Sequence, residues 1–255
     1  MDTNLTGKTA VITGGARGIG YAVARGLAAE GAKIAILDLL DGVADSAQRI
    51  SEEFGVVALG RQLDVTDQQA TFSAFDEIAA ELGTPQVLLT AAGIEINGDS
   101  IEVTDQQWRA VIDVNLTGTF FSTQAFGRGL LAAGLPGSAV LIASMSGVIV
   151  NVPQWAASYN SSKAAVAHLG KSLAVEWAPS DIRVNSIAPG YVLTDLTREI
   201  IENDPSLEAD WISRIPQGRM ATPDDMAGLV VFLASDNSAY LTGQQIVIDG
   251  GYTAV

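Results

Sequence analysis

Lys8-Thr9-Ala10-Val11-Ile12-Thr13-Gly14-Gly15-Ala16-Arg17-Gly18-Ile19-Gly20 passes from an apolar run into a cluster of glycines. Residues 8–13 have the length and composition of a short buried strand. From about residue 18 to 30 the pattern becomes helical. Strand, glycine turn and helix in this order are the setting in which a glycine motif binds a diphosphate. Gly14 can make the tight turn. Gly18 and Gly20 let phosphate oxygens approach backbone amides at the positive end of the helix, with Arg17 and Ile19 in the same loop. The spacing is Gly-x-x-x-Gly-x-Gly, not the tighter Gly-x-Gly-x-x-Gly. A glycine loop by itself is often only a turn, so the context carries the argument.

That context continues outward. Lys33-Ile34-Ala35-Ile36-Leu37-Asp38 reads as a second buried strand ending in an acid. An acid some twenty residues past the glycine loop suits a ribose 2′-hydroxyl. A 2′-phosphate there would meet a like charge, at a cost on the order of 4 kcal/mol per charge pair at about 4 Å and a dielectric of 20. Asp38 therefore predicts NAD over NADP, although Arg17 is a basic residue within reach of a 2′-phosphate. The alternative role for Asp38 is a turn or helix-cap acid, with Asp41 nearby.

Helices at about 41–54 and 67–82, the second capped by Asp67, flank a strand near 56–62 that leads into Asp64 and Val65. This pair can hold an adenine amino group and ring face, or simply leave a strand. Val87-Leu88-Leu89-Thr90 is a fourth strand ending at Ala91-Ala92-Gly93, small residues that suit close approach of a cofactor or an ordinary turn. A long helix over roughly 105–133 carries Asn115, and Gly134-Leu135-Pro136-Gly137 breaks it. Residues 139–143 form a fifth strand ending at Ser144. A helix over about 157–178 follows, then a strand over 183–188 ending at Pro189-Gly190. Residues 191–220 read as an irregular insertion beside the substrate. A helix to about 235 and a strand at 245–249 close a single domain spanning 1–255.

Alternating strands and helices, with strands as continuous apolar runs, argue for a parallel sheet covered on both faces. Ligands of such sheets lie beyond the carboxyl ends of the strands. Gly14, Asp38, Asp64, Ala91, Ser144 and Pro189 all follow strand ends and so converge on one edge.

Tyr159-Asn160-Ser161-Ser162-Lys163 supplies the chemistry. Residues four apart on a helix share a face, about 6 Å apart along the axis. A tyrosine titrates near ~10, and a neighbouring cation favours the phenolate. Lowering that value by about 3 units takes roughly 4 kcal/mol, which a lysine and a positively charged nicotinamide ring can supply together. Such a tyrosine exchanges a proton with an alcohol or ketone. Alone, the pattern fits a core tyrosine and a solvated lysine equally well.

Composition removes other classes. The 255 residues are 48% hydrophobic, enough for one large core. There is no cysteine and one histidine, His168, which argues against thiolate chemistry, a metal site and a Ser-His-Asp triad. The net charge of −15 disfavours nucleic acid and anionic membrane as partners. Met1-Asp2-Thr3-Asn4 lacks the features of a secretory leader, so a cytoplasmic location is expected.

With these residues assembled, the chain resembles the short-chain dehydrogenase/reductase family over essentially its whole length. The marks are Thr13-Gly14-x-x-x-Gly18-x-Gly20, Asp64, Ala92-Gly93, Asn115, Ser144, Tyr159-x-x-Ser162-Lys163 and Pro189-Gly190. The resemblance implies a doubly wound α/β Rossmann fold with a seven-stranded parallel sheet of order 3-2-1-4-5-6-7. It implies a catalytic set in which Tyr159 is the acid/base and Ser144 hydrogen-bonds the substrate oxygen. Lys163 lowers the tyrosine pKa and holds the ribose, and Asn115 anchors a water that links the lysine to solvent. Pro189, Gly190, Val192 and Thr194 fall on the nicotinamide side, with Thr194 matching the threonine that holds the carboxamide. A homotetramer packed through the helices of Asn115 and Tyr159 is also implied. One departure is Thr90-Ala91-Ala92-Gly93, where the family often has Asn-Asn-Ala-Gly.

For the substrate the cues divide. The Ser144–Asn151 segment and the ending Asp249-Gly250-Gly251-Tyr252 resemble polyol and sugar alcohol dehydrogenases. Ser146, Asn151 and Tyr191, beside Ser144 and Tyr159, offer polar groups for further hydroxyls. Ile94, Ile96, Val152, Trp155, Tyr191, Leu193 and Leu196 point instead to a bulky or aromatic secondary alcohol or ketone, with Trp155 evenly placed between site and core. Glu95, just past Ala92-Gly93, can contact a substrate amine or hydroxyl, but is read first as a solvated loop acid. A silent, dinucleotide-sensing regulator on the same fold is a third possibility, opposed by the presence of both Tyr159 and Lys163.

Overall fold

The apolar runs form the strands of one parallel sheet: β1 Thr9–Thr13, β2 Lys33–Asp38, β3 Ala58–Gln62, β4 Pro85–Thr90, β5 Gly137–Ile142, β6 Ile182–Pro189 and β7 Gln245–Ile248, in the order β3-β2-β1-β4-β5-β6-β7. The structure is a computed structural model describing residues 3–255, the side chain of Leu196 excepted. Met1 and Asp2 of the opening segment, and Leu196 as a pocket candidate, lie outside the described residues.

Alternation along each strand sends neighbours to opposite faces. Ala10, Ile12 and Leu89 join one core, with α1 (Gly18–Ala29), α2 (Val43–Phe54) and α9 (Asp224–Ala234) packed over it. Val11, Leu88, Ala139 and Leu141 join the other, covered by α3 (Gln68–Leu82), α5 (Thr119–Ala133) and α6 (Ala157–Trp177). Both faces are dry, so the strands have no polar side, as their continuous apolar runs require. The chain winds outward from β1 in one direction and from β4 in the other. These two strands pair at the centre, Val11 opposite Leu88, and the crevice beyond their carboxyl ends is the switch point where ligands of such sheets bind.

Two segments differ from expectation. The helix expected over 105–133 is α-helical only at its ends. After α4 (Asp105–Ile112), Asp113–Gly118 is wound as a π-helix, and α5 resumes at Thr119. A Cβ on Gly118 would come within 2.6 Å of Val65 Cγ2, so the segment is pressed against the exit of β3. Thr119, Ser122 and Thr123 each donate a hydrogen bond to the carbonyl four residues back, at 2.6–2.8 Å, a competition with the backbone ladder that accompanies helix distortion.

The 191–220 region is not irregular. It contains α7 (Asp195–Asn203) and α8 (Ser206–Arg214), held over the end of the sheet by a third core of Met145, Tyr191, Trp211, Ile215, Met220 and Tyr252. The strand expected from residue 139 starts at Gly137, already paired with Ile182. Among the described residues no helix is long and apolar enough to cross a membrane, and no group of acidic residues and histidine is gathered as for a metal ion.

Candidate active site

The glycine turn after β1 is packed to its limit. Gly14 has φ +64°, and a Cβ there would sit 2.5 Å from the amide nitrogen of Ala92. A Cβ on Gly20 would sit 2.1 Å from the carbonyl oxygen of Gly14. The turn therefore lies against the exit of β4, with the first turn of α1 directly behind it. Gly14, Arg17, Gly18, Ile19 and Gly20 line a cleft of about 350 Å³. Asp38, Asp64, Val65, Ala91, Ala92, Gly93, Tyr159, Lys163 and Thr194 line the same cleft. The strand ends converge as expected.

Asp38 takes up the turn-acid role and also lines the cleft. Its carboxylate accepts from the Ala16 amide at 3.0 Å and the Leu40 amide at 3.1 Å, and it still faces the cleft. These bonds fix a negative group beside the glycine turn. Arg17 is ion-paired with Asp195 at 3.1 Å, at the start of α7. Asp64 accepts from the amide and hydroxyl of Thr66.

A smaller hollow of about 120 Å³ adjoins the cleft. Ile19, Tyr159 and Thr194 line both, and Ser144, Ser146, Asn151, Gln154, Pro189, Gly190, Tyr191 and Val192 line the hollow. The Asn151 amide donates to the Tyr191 hydroxyl at 3.1 Å, and that hydroxyl donates to Gln154 at 3.3 Å. Asn151 Oδ1 is buried without a partner, an orphaned acceptor on the wall of a hollow. Tyr191 stacks on the fully buried Trp211 at 4.2 Å and 10°.

At the junction of cleft and hollow, Tyr159 lies beside Ser144, whose hydroxyl donates to Ser146 Oγ at 3.1 Å. Ser144 also accepts from the Ser146 amide at 3.1 Å. One turn along α6, the Lys163 ammonium donates to the Ile142 carbonyl at 2.9 Å and lies 5.6 Å from the centre of the Tyr159 ring. Burial pushes Lys163 down to about 8, opposed by the negative charge of Glu95. Tyr159 is shifted in the opposite sense to Lys163. Burial holds it well above the ordinary phenol range, Glu95 pushes it further, and the Ser144 hydroxyl opposes both. The lysine alone does not deliver the depressed pKa that the Tyr-x-x-x-Lys spacing suggests.

Asn115 lies in the π segment, fully buried. It clasps the residue after Gly93: Ile94 N–H donates to Oδ1 at 2.8 Å, and Nδ2 donates to the Ile94 carbonyl at 2.9 Å and to Ser162 Oγ at 3.0 Å. Its side chain is thus spent on holding the loop after β4 to α6.

Several sequence candidates fall elsewhere. Trp155 is 60% exposed and lines neither cavity; Val152 is exposed too. Leu193 packs into the third core and Ile94 borders the cleft. His168 is on the exposed side of α6. Conversely, Glu95 is not solvated. It is half-buried on the wall of the hollow with Tyr159 and Ser144. Its signal was an acid two residues past Ala92-Gly93. Gln154 and Trp211 were not singled out at all.

The family model described as enoyl-(acyl carrier protein) reductase matches residues 14–253. The chain is 42% identical over 250 residues to galactitol 2-dehydrogenase (L-tagatose-forming) of Cereibacter sphaeroides, covering 98% of this chain and 96% of that one. It is similar to the crystal structure of a short-chain type dehydrogenase/reductase from Mycobacterium marinum, with TM-score 0.92, 40% identity and coverage of 99% and 98%. It is also similar to a gluconate 5-dehydrogenase from Burkholderia cenocepacia J2315 solved with NADP and tartrate, with TM-score 0.94, 34% identity and coverage of 100% and 98%.

Proposed function

The chain belongs to the short-chain dehydrogenase/reductase family, and from that premise we propose that it is an NAD-dependent oxidoreductase interconverting a polyol or similar secondary alcohol and its ketone. The observation that carries the reading is the placement of Tyr159 on the wall of both a glycine-walled cleft and a polar hollow, with Lys163 on the cleft side and Ser144 on the hollow side.

The cleft fits a nicotinamide dinucleotide. Side chains at Gly14 and Gly20 would collide with backbone, so the turn stays bare for a diphosphate over the amides of Gly18, Ile19 and Gly20. Asp38, held by two amides, is set to accept a ribose 2′-hydroxyl and to repel a 2′-phosphate. Arg17, which would favour the phosphate, is paired with Asp195. Asp64 and Val65 flank the adenine, and Ala91, Ala92 and Gly93 let the cofactor pass close to the backbone. Lys163 holds the second ribose, and Pro189, Gly190, Val192 and Thr194 border the nicotinamide. When bound, the oxidised nicotinamide supplies a two-electron acceptor and a positive charge.

Tyr159 takes the hydroxyl proton of the alcohol and returns it to the ketone oxygen in the reverse direction. Ser144 holds that oxygen. The positive charges of Lys163 and the cofactor ring together favour the phenolate that burial opposes. Ser146, Asn151, Gln154 and Tyr191 bind further hydroxyls. The polar wall favours a polyol. The Tyr191–Trp211 stack is what favours the second reading, a bulky or aromatic secondary alcohol.

The enzyme is proposed to work in the cytoplasm as a homotetramer. Trp108, Phe120, Leu131 and Val175 are exposed on α4, α5 and α6, as a subunit contact through these helices requires; light scattering measures the assembly. The reaction is tested by following NADH absorbance with NAD or NADP and a panel of polyols and aryl secondary alcohols. Polyols turned over with a higher kcat/KM for NAD are expected, and Tyr159→Phe is expected to lose about 10³-fold or more while still binding NADH. Equal use of both cofactors would overturn the role of Asp38. Turnover of aryl alcohols alone would replace the substrate class.

A further inference from the structure

The half-buried acid on the substrate hollow has no role in the proton transfer just described. Glu95 follows Ile94, whose N–H and C=O are both held by Asn115 at 2.8 and 2.9 Å. The backbone that carries Glu95 is therefore fixed from the interior, although the residue lies in a loop. Glu95 lines the hollow together with Ser144, Ser146, Asn151 and Tyr159. The wall of that hollow carries no arginine, lysine or histidine among the described residues. The nearest cation, Lys163, is on the cleft side and committed to the Ile142 carbonyl. On the wall of the hollow a substrate thus meets one negative group, whose nearest counter-charge is across on the cleft side, and a set of neutral hydrogen-bonding groups.

We propose that Glu95 is a charge filter on the substrate site, one that admits uncharged polyols and ketoses through hydrogen bonds to their hydroxyls and rejects counterparts that carry a carboxylate. The inference rests on the polyol reading for the substrate it admits; the rejection of anions stands on the composition of the wall alone. A carboxylate brought into the hollow would face Glu95 across a partly desolvated gap, where like charges repel more strongly than in water and are little screened by salt. An uncharged hydroxyl would instead donate to the same oxygens, a charge-assisted bond stronger than a neutral one. Such discrimination comes from the repulsive element as much as from the attractive one.

Glu95→Gln separates the two effects, because the amide keeps an oxygen acceptor and nearly the same shape while the charge is gone. Calorimetric titration of D-gluconate into NADH-loaded protein at pH 8 reads the filter directly. The wild type is expected to bind gluconate at least tenfold more weakly than the variant. Glu95→Ala, which removes charge and hydrogen bonding together, is expected to gain gluconate affinity and to lose affinity for galactitol. An unchanged gluconate affinity in both variants would overturn the filter, whatever the enzyme oxidises. Wild-type failure to oxidise any uncharged polyol would overturn the polyol reading instead, and the gluconate titration would still decide the filter.

Discussion

Tyr159 has its proton affinity set by what surrounds it. Burial and the Glu95 carboxylate raise it, and the Ser144 hydroxyl lowers it. Oxidation of an alcohol needs the phenolate, so kcat/KM for oxidation rises with pH through this titration, and kcat/KM for ketone reduction falls through it. Removing the Glu95 charge removes one of the causes that raise the phenol. In Glu95→Gln both limbs are therefore expected to move to lower pH. Lys163 is the other charged group facing this pair, and Glu95 raises its value too, so the lysine's own limb moves the same way. Limbs that stay fixed in the variant's pH profile would place Glu95 out of electrostatic reach of the phenol. Tyr159 and Lys163 were legible in the sequence because a four-residue spacing on a helix fixes their common face. Glu95 was not. Its position is decided by Asn115, which clasps Ile94 from another element, and nothing in the residues next to Glu95 announces that clasp.

The π-helical stretch Asp113–Gly118 shows the same limit at the scale of an element. The sequence reading placed a helix over about 105–133, and in the structure Thr104 and Gln107 cap its start reciprocally. The rewound stretch brings Gly118 close against Val65 of another element, a contact that local sequence does not announce, and π segments of this kind recur at functional sites. Likewise α7 and α8 are nine residues each, too short to be stable without the third core that covers them, so residues 191–220 read as an irregular insertion. The buried strands needed no such context, being continuous apolar runs between turns. The winding has a testable consequence. Asn115→Leu keeps the bulk and strands the N–H and C=O of Ile94, at about 1–3 kcal/mol for each buried group left unmade. At roughly 2–4 °C per kcal/mol for a chain of this size, the melting temperature is expected to fall by about 5–15 °C. Differential scanning calorimetry of the two proteins checks it, and a change under about 2 °C, below the cost of even one stranded group, would show that the clasp is not stabilising.

Across the whole molecule the dominant physical fact is a net charge of −15. The cofactor proposed for the cleft is itself an anion, so its approach is opposed by the long-range field even though the glycine turn favours its diphosphate at contact. The two cations nearest the cleft offer little steering, since Arg17 is paired with Asp195 and Lys163 is buried and bonded to the Ile142 carbonyl. Field and contact can be separated by salt. The screening length falls from about 30 Å at 0.01 M to about 8 Å at 0.15 M. Over that range the association rate of NADH, followed by stopped-flow quenching of tryptophan fluorescence, is expected to rise several-fold, while the KM of an uncharged polyol stays constant. A rate that falls with salt would mean that a local positive field at the cleft mouth outweighs the charge of the whole. In that case Arg17 would have to leave Asp195 as the cofactor arrives, and Arg17→Ala would abolish the salt dependence. A rate that rises with salt in both proteins leaves Arg17 in its ion pair and makes the overall acidity of the chain the barrier the cofactor has to cross.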